Sequence, residues 1–173
     1  MSIPEHSKII NKIARQFFLP YGIERRGQSR IWLDDPGWFT TVIEFQPGWD
    51  RGTYLNVAVN FHWYLNDHFS FDIGNRENQF VKFDNENQFI HEVEHLCKIA
   101  IGKVLEYKTN LINVNSALNI ITNYEFSSDS LWGNYHKGTI CGLAGDINRL
   151  KKYYDLLLSV DHNVPWAIEL KQR

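Results

Sequence analysis

Between Arg30 and Phe83 the chain alternates between apolar and polar residues, and the same stretch holds 13 of its 25 aromatic side chains and four of its six tryptophans. A period of two places successive side chains on opposite faces, so this region can only be strands with one apolar and one polar face. Arg30 to Asp34 is a first strand, closed by the turn Asp34-Asp35-Pro36-Gly37. Trp38 to Gln46 is a second, and the loop Pro47-Gly48-Trp49-Asp50-Arg51-Gly52 leads into the longest. There Thr53, Leu55, Val57, Val59, Phe61 and Trp63 point one way, and Tyr54, Asn56, Ala58, Asn60, His62 and Tyr64 the other. Asn66-Asp67 reads as a turn, His68 to Ile73 as a further strand, Gly74-Asn75 as a turn, and Gln79 to Phe83 as an edge strand. Such short connections imply antiparallel neighbours, because a parallel crossover needs about a dozen residues.

Helical periodicity flanks this region. Glu5 to Phe18 carries Ile9, Ile10, Ile13 and Phe17 at helical spacing, and Pro20 and Gly22 end it. Asn85 followed by Gln88 is a capping pattern. Behind it runs a stripe of Phe89, Val93, Leu96, Cys97, Ala100, Ile101, Val104 and Leu105. A second segment covers about Leu111 to Ile121, Ser127 to Gly133 reads as a loop, and one long helix is expected from about Thr139 to Ser159. Within that helix Gly142, Ala144 and Gly145 permit close approach of a neighbouring helix. Asn163-Val164-Pro165 opens a tail. The expected fold is therefore α+β: an N-terminal helix, an antiparallel four- to five-stranded meander, and C-terminal helices packed on the sheet. It is expected as a single domain over residues 1–173, sheet-rich over 23–83 and helical over 85–171.

A chain of 173 residues buries roughly 70% of its unfolded surface and needs no disulfide or metal to fold. Its two cysteines, Cys97 and Cys141, sit in apolar helical patterns and read as buried free thiols. With a net charge of −2 and no Lys/Arg run, it lacks the field that draws proteins to nucleic acid or anionic lipid. No apolar run approaches the ~20 residues of a membrane span, and Met1 to His6 begins no signal peptide. A soluble cytoplasmic protein is expected, with no nucleic-acid or membrane partner.

Three constellations bear on chemistry. His91-Glu92-Val93-Glu94-His95 fits H-E-x-x-H, which on a helix of a zinc peptidase supplies two ligands and a general base. Here Glu94 fills a position such enzymes keep uncharged, and His91 and His95 fall opposite the buried stripe. No third ligand follows in an obvious motif, His136 and Glu125 being only distant candidates. A solvated helix face is preferred, and no metal or other cofactor is expected. On the polar sheet face, Arg30, Glu44, Asn60, His62, His68 and Asp72 alternate away from the apolar side. An alternative hydrolase site would use Glu44, His62 and Asp72, with Glu44 orienting the His62 imidazole. The third constellation is aromatic: Trp32, Trp38, Trp49 and Tyr64, with Asp34 and Arg51 beside them, are of the types that dominate protein interfaces. Nucleotide-binding glycine loops, a G-x-S-x-G and a C-x-x-C are all missing. Gly142-Leu143-Ala144-Gly145 resembles half a phosphate loop, but it lies in a helical pattern with no preceding strand.

The block Arg30-Ile31-Trp32-Leu33-Asp34-Asp35-Pro36-Gly37-Trp38, followed by Val42-Ile43-Glu44-Phe45-Gln46-Pro47 and Gly52-Thr53-Tyr54-Leu55-Asn56-Val57, resembles small bacterial proteins of the domain-of-unknown-function 4304 type. The resemblance covers about Ile9 to Phe83. It implies a cytoplasmic bacterial α+β domain and brings no established active site; proteins of this kind are suspected of being immunity or accessory factors. The expectation is a non-enzymatic binding protein that holds a protein partner through Trp32, Asp34, Trp38, Trp49, Arg51 and Tyr64. Its concrete form is an immunity-type inhibitor of a toxin or defence system. Beyond the hydrolase alternative, a homodimer through apolar helix faces is a further expectation.

Overall fold

The fold is described from a computed structural model, over residues 4–64, 68–126, 130–160 and 165–172. The expected turn at Asn66-Asp67, the first half of the expected loop (Ser127 to Asp129) and the dipeptide Asn163-Val164 lie outside these residues. The chain divides into two compact units, Met1–Lys108 and Thr109–Arg173. The division falls at the end of the first long helix after the sheet, so that helix belongs with the sheet.

In the first unit, helix α1 (Glu5–Phe18) is followed by a 3-10 turn (Leu19–Tyr21) and strands β1 (Glu24–Arg25), β2 (Ile31–Asp34), β3 (Phe39–Gln46), β4 (Gly52–Phe61) and β5 (Ile73–Arg76). These strands form an antiparallel meander in the order β1-β2-β3-β4-β5, and β6 (Val81–Lys82) pairs with the start of β4. Helix α2 (Glu86–Asn110) follows, opened by Asn85, whose side chain accepts from the Gln88 amide at 3.0 Å. The α+β class and the antiparallel meander are as the alternation predicts.

One face of the sheet makes the core. Ile10 and Phe18 of α1, Trp32, Ile43, Phe45, Leu55 and Val57 of the sheet, and Phe89, Val93, Leu96 and Ala100 of α2 form one buried cluster. Phe18 rather than Phe17 carries the contact with the sheet. It meets Trp32 edge-on at 5.3 Å and stacks on Phe45 at 6.2 Å, at the separations aromatic pairs prefer. Leu105 is half exposed and lies off the α2 stripe.

The register corrects the expected facing of β2. Trp32 pairs with Ile43, which pairs with Val57, so Trp32, Arg30 and Asp34 share the core side of the sheet and Ile31 and Leu33 take the other. The two charged residues are tolerated there because each finds a partner at one end of the strand. The Asp34 carboxylate takes the Lys108 ammonium at 2.7 Å. Arg30 Nη2 donates to Ser7 Oγ at 2.5 Å and contacts His6 Nε2 at 2.9 Å.

The fourth strand is also displaced. His68 to Asp72 is not strand, and Gly74-Asn75, expected as a turn, lies inside β5. Asp72 fixes the start: its N–H donates to Val59 O at 2.9 Å, and its carboxylate accepts from the Phe61 N–H at 2.7 Å. Gly74 then lies opposite Ala58, where an added Cβ would come within 2.5 Å of the Ala58 Cα. The glycine marks a close backbone approach rather than a turn.

The second unit is helical: α3 (Val114–Asn123), α4 (Ser130–Leu143), α5 (Ile147–Ser159) and α6 (Pro165–Gln172). The expected single helix from Thr139 to Ser159 is two. Asp146 N–H reaches back to Cys141 O and Gly145 N–H to Gly142 O, with Gly145 at φ 75°, a Schellman ending. Asp146 then caps α5, accepting from the Arg149 N–H at 3.0 Å. Gly142 does face a neighbouring helix, with Leu150 in contact range. The half of the expected loop from Ser130 to Gly133 is the first turn of α4, and Pro165 starts a helix rather than a tail, in the first-turn position where its missing N–H costs nothing.

Two outcomes follow from these contacts. Asp146→Ala should lower the denaturant midpoint of the helical unit, since it removes the side-chain acceptor that caps α5. His6 is held below its ordinary pKa of 6.5 by burial first, then by the charges of Arg30 and Arg51. As pH falls through 6.5 the unfolded chain takes up a proton that the folded chain resists, so stability should drop as the pH is lowered through and below that value. His6→Gln, which keeps an acceptor for Arg30, should flatten that dependence; an unchanged slope would remove His6 as its source.

Candidate functional site

The loop between β3 and β4 is built around Phe80. An added Cβ on Gly48 or Gly52 would lie 2.5 and 2.6 Å from this ring, and on Gly52 also 2.2 Å from Val81 O. At Gly52, where the obstacle is the Val81 carbonyl, only glycine lets the hairpin close onto the β6 segment; at Gly48 it is the Phe80 ring that fills the space. The loop is thereby seated against Phe80, and Trp49 at its tip is fully exposed. Trp49, Asp50, Tyr54, Phe80 and Lys82 line an open groove of about 340 Å³, with Tyr54 and Phe80 rings 5.0 Å apart.

Charges rim this groove in compensated pairs. Lys82 Nζ lies 3.6 Å from Asp50 and 3.8 Å from Asp84; Arg51 pairs with Glu5 at 3.3 Å and covers the Phe83 ring at 4.4 Å. All are more than half exposed, so each contributes at most about 1 kcal/mol to folding and leaves the surface free to exchange partners.

The structure brings only part of the expected partner surface together. Trp49 and Arg51 share the hairpin. Trp32 is 1% exposed and lies in the core, Asp34 is 3% exposed and paired with Lys108, and Tyr64 is buried, so these three offer nothing to a partner. Trp38 is half-buried, stacked on Phe61 at 5.8 Å and near Trp63 at 5.6 Å. It stands at the other end of β3. Eight strand residues separate the two loops, a span of about 26 Å at ~3.3 Å per residue, so Trp38 and Trp49 are separate surfaces.

Within the alternative polar site, Glu44 and His62 do not come together. Glu44 lies opposite Asn56 and accepts from its Nδ2 at 2.9 Å. His62 is six residues further along the chain from Asn56, about 20 Å away if extended. Its Nε2 contacts Thr40 Oγ1 at 2.7 Å and its Nδ1 contacts Gly37 O at 3.1 Å. Asp72 is engaged by the Phe61 amide. Each group is satisfied locally, and no carboxylate–imidazole pair forms between Glu44 and His62. Around Glu44 there is instead a row of polar side chains: Asn56 Nδ2 also donates to Gln46 Oε1 at 3.0 Å, and Arg76 Nη2 donates to the same oxygen at 2.8 Å.

The H-E-x-x-H segment is part of α2, with His91 and His95 exposed and His91 Nδ1 3.9 Å from Glu94. His136 is buried between the rings of Phe126 and Trp132. Among the described residues no group of three or more His, Cys, Asp or Glu side chains is placed to hold a metal ion. Burial, then the charge of Glu94, pushes the Cys97 thiol up to about 12, and burial also raises Cys141, so neither is a ready nucleophile. No described helix is long and apolar enough to cross a membrane.

Comparison with protein-family models, with curated proteins and with solved structures finds no match. The resemblance drawn from the N-terminal half therefore rests on its residues alone.

Phe80 and Arg76 are the site residues that the alternation pattern left unassigned; Tyr54 falls on the polar face of the long strand, as the alternation places it. A glycine on each side of Trp49 was the available signal for the first, since paired glycines in a hairpin mark something packed close. Gly52→Ala should destabilise the protein by about 1–3 kcal/mol, as overpacking does, and should displace Phe80. Unfolding stability together with the Phe80 ring signals in NMR would check both effects.

Proposed function

We propose that this chain is a non-enzymatic protein-binding domain of the immunity or accessory-factor kind, acting by steric occlusion of its partner. One observation carries the reading: a tryptophan fully exposed at the tip of a hairpin seated on Phe80, beside an aromatic groove. Tryptophan and arginine are the side chains on which interface free energy concentrates, and a pre-organised loop loses little entropy on binding. Trp49 and Arg51 are the contact residues in this reading, with Tyr54 and Phe80 as the groove walls and Asp50, Lys82 and Asp84 as the charged rim. Trp38 and its aromatic neighbours are not part of this surface.

The absence of an assembled acid–base pair at Glu44 and His62, and the high thiol pKa of Cys97, favour binding over catalysis. The reading takes from the sequence resemblance only the class of function; the contact surface comes from the hairpin.

The double variant Trp49→Ala, Arg51→Ala should keep its fold, because it removes one exposed ring, one surface ion pair and the exposed guanidinium over Phe83, none of them part of the buried cluster. Its affinity for the dominant co-purifying protein, measured by calorimetry, should fall by about 30-fold or more, the loss expected for an interface hot spot. Unchanged affinity would remove the hairpin from the interface.

A further inference from the structure

We infer that Arg76, together with the groove of Trp49, Tyr54 and Phe80, receives a carboxylate side chain of the protein partner next to an apolar or aromatic residue. This rests on the reading of the hairpin as the contact surface and names the chemistry that the surface selects.

The Arg76 guanidinium lies 4.0 Å over the Tyr54 ring, and Tyr54 is itself a groove wall in contact with Phe80. Arg76 Nη2 donates to Gln46 Oε1 at 2.8 Å, and Nε reaches Asn56 Oδ1 at 3.4 Å. Stacking and two neutral acceptors therefore fix the guanidinium on an exposed strand. None of these contacts neutralises it, and Nη1 has no hydrogen-bond partner among the described residues. The other basic residues at the groove differ: Lys82 is paired to Asp50 and Asp84, and Arg51 to Glu5. Arg76, unlike these two, has no carboxylate within ion-pair distance among the described residues.

On the same sheet face Glu44 reaches Arg76 only through Asn56 and Gln46: its carboxylate takes the Asn56 amide, and no direct ion pair forms between the two charges.

An arginine held flat with donors unspent matches a planar carboxylate, which can accept two parallel N–H bonds. The surroundings favour a single charge over a phosphate dianion, since Asp50 and Asp84 stand on the same rim. The aromatic walls supply the second half of the specificity, taking an apolar side chain adjacent to the acid. The occupant is thus an acidic–aromatic segment of a protein.

The test uses the full chain, labelled with nitrogen-15, and a blocked tetrapeptide of alternating phenylalanine and aspartate. A second tetrapeptide carries asparagine in place of each aspartate. The acidic peptide should move both the Trp49 indole N–H and the Arg76 Nε–H signals, assigned from Trp49→Ala and Arg76→Gln. The neutral peptide should bind about tenfold more weakly, as loss of a charge-assisted bond implies. Arg76→Gln should erase the difference between the peptides, and Arg76→Lys, which keeps the charge on the same strand, should retain part of it. Equal binding of both peptides to the unaltered protein, with Trp49 moving, would overturn the carboxylate assignment and leave the hairpin surface standing. Failure of the acidic peptide to move the Arg76 signal would also overturn it. The hairpin reading itself falls only if the Trp49, Arg51 double variant binds its partner unchanged.

Discussion

The pairing of β3 with β4 fixes almost everything else in the first unit. Eight consecutive residue pairs, from Phe39 with Phe61 to Gln46 with Tyr54, set the register of the two longest strands. A slip of one residue would turn the core side chains of one strand outward, Ile43 and Phe45 or Leu55 and Val57, and drive Glu44 or Asn56 into the core. Full burial of one such apolar side chain contributes about 1.5–3 kcal/mol, so the register is held by far more than the few kcal/mol that separate folded from unfolded chains. The same register sends Trp32 to Phe18 and leaves Glu44, Gln46, Asn56 and Arg76 in one row on the opposite face.

The proposed contact surface is a consequence of that register meeting β6. Because Gly52 and Thr53 pair with Lys82 and Val81, the strand before α2 is brought against the hairpin loop, and Phe80 is set beside Gly48 and Gly52. Trp49 is left with no place in the core. Tyr54, the last residue of the long pairing, joins the aromatic groove to the polar row through Arg76. One end of the sheet thus combines exposed aromatic area with a pre-positioned cation. The other end spends its aromatics on itself, with Trp38, Phe61 and Trp63 stacked together.

Much of this is legible in the sequence. Alternation over Thr53 to Phe61 and the helical stripes around Ile10 and Val93 are strong periodic signals, and each produced the element it implies, with α1 at its predicted bounds. What failed were features decided by tertiary partners. The facing of β2 depends on Ser7, His6 and Lys108 satisfying Arg30 and Asp34, and nothing local to that strand announces them. Gly74 reads as a turn because glycine usually is one, yet here it admits the Ala58 backbone. The break at Gly145-Asp146 was visible as a glycine followed by a capping residue, but the small residues before it suggested packing instead. In the candidate site, Trp49 and Arg51 were legible as exposed loop types. Asp34, Trp32 and Tyr64 were not separable from them by type alone, since burial is set by register. Arg76 and Phe80 were hidden because their roles exist only across strands.

The most direct measurement is hydrogen–deuterium exchange of the full chain, free and bound to its co-purified partner. The account predicts that added protection concentrates in the loop from Pro47 to Arg51 and at Arg76 and Val81–Lys82, leaving the Trp38 end unchanged. Protection confined to the Trp38, Phe61 and Trp63 cluster, or none in the first unit, would contradict it.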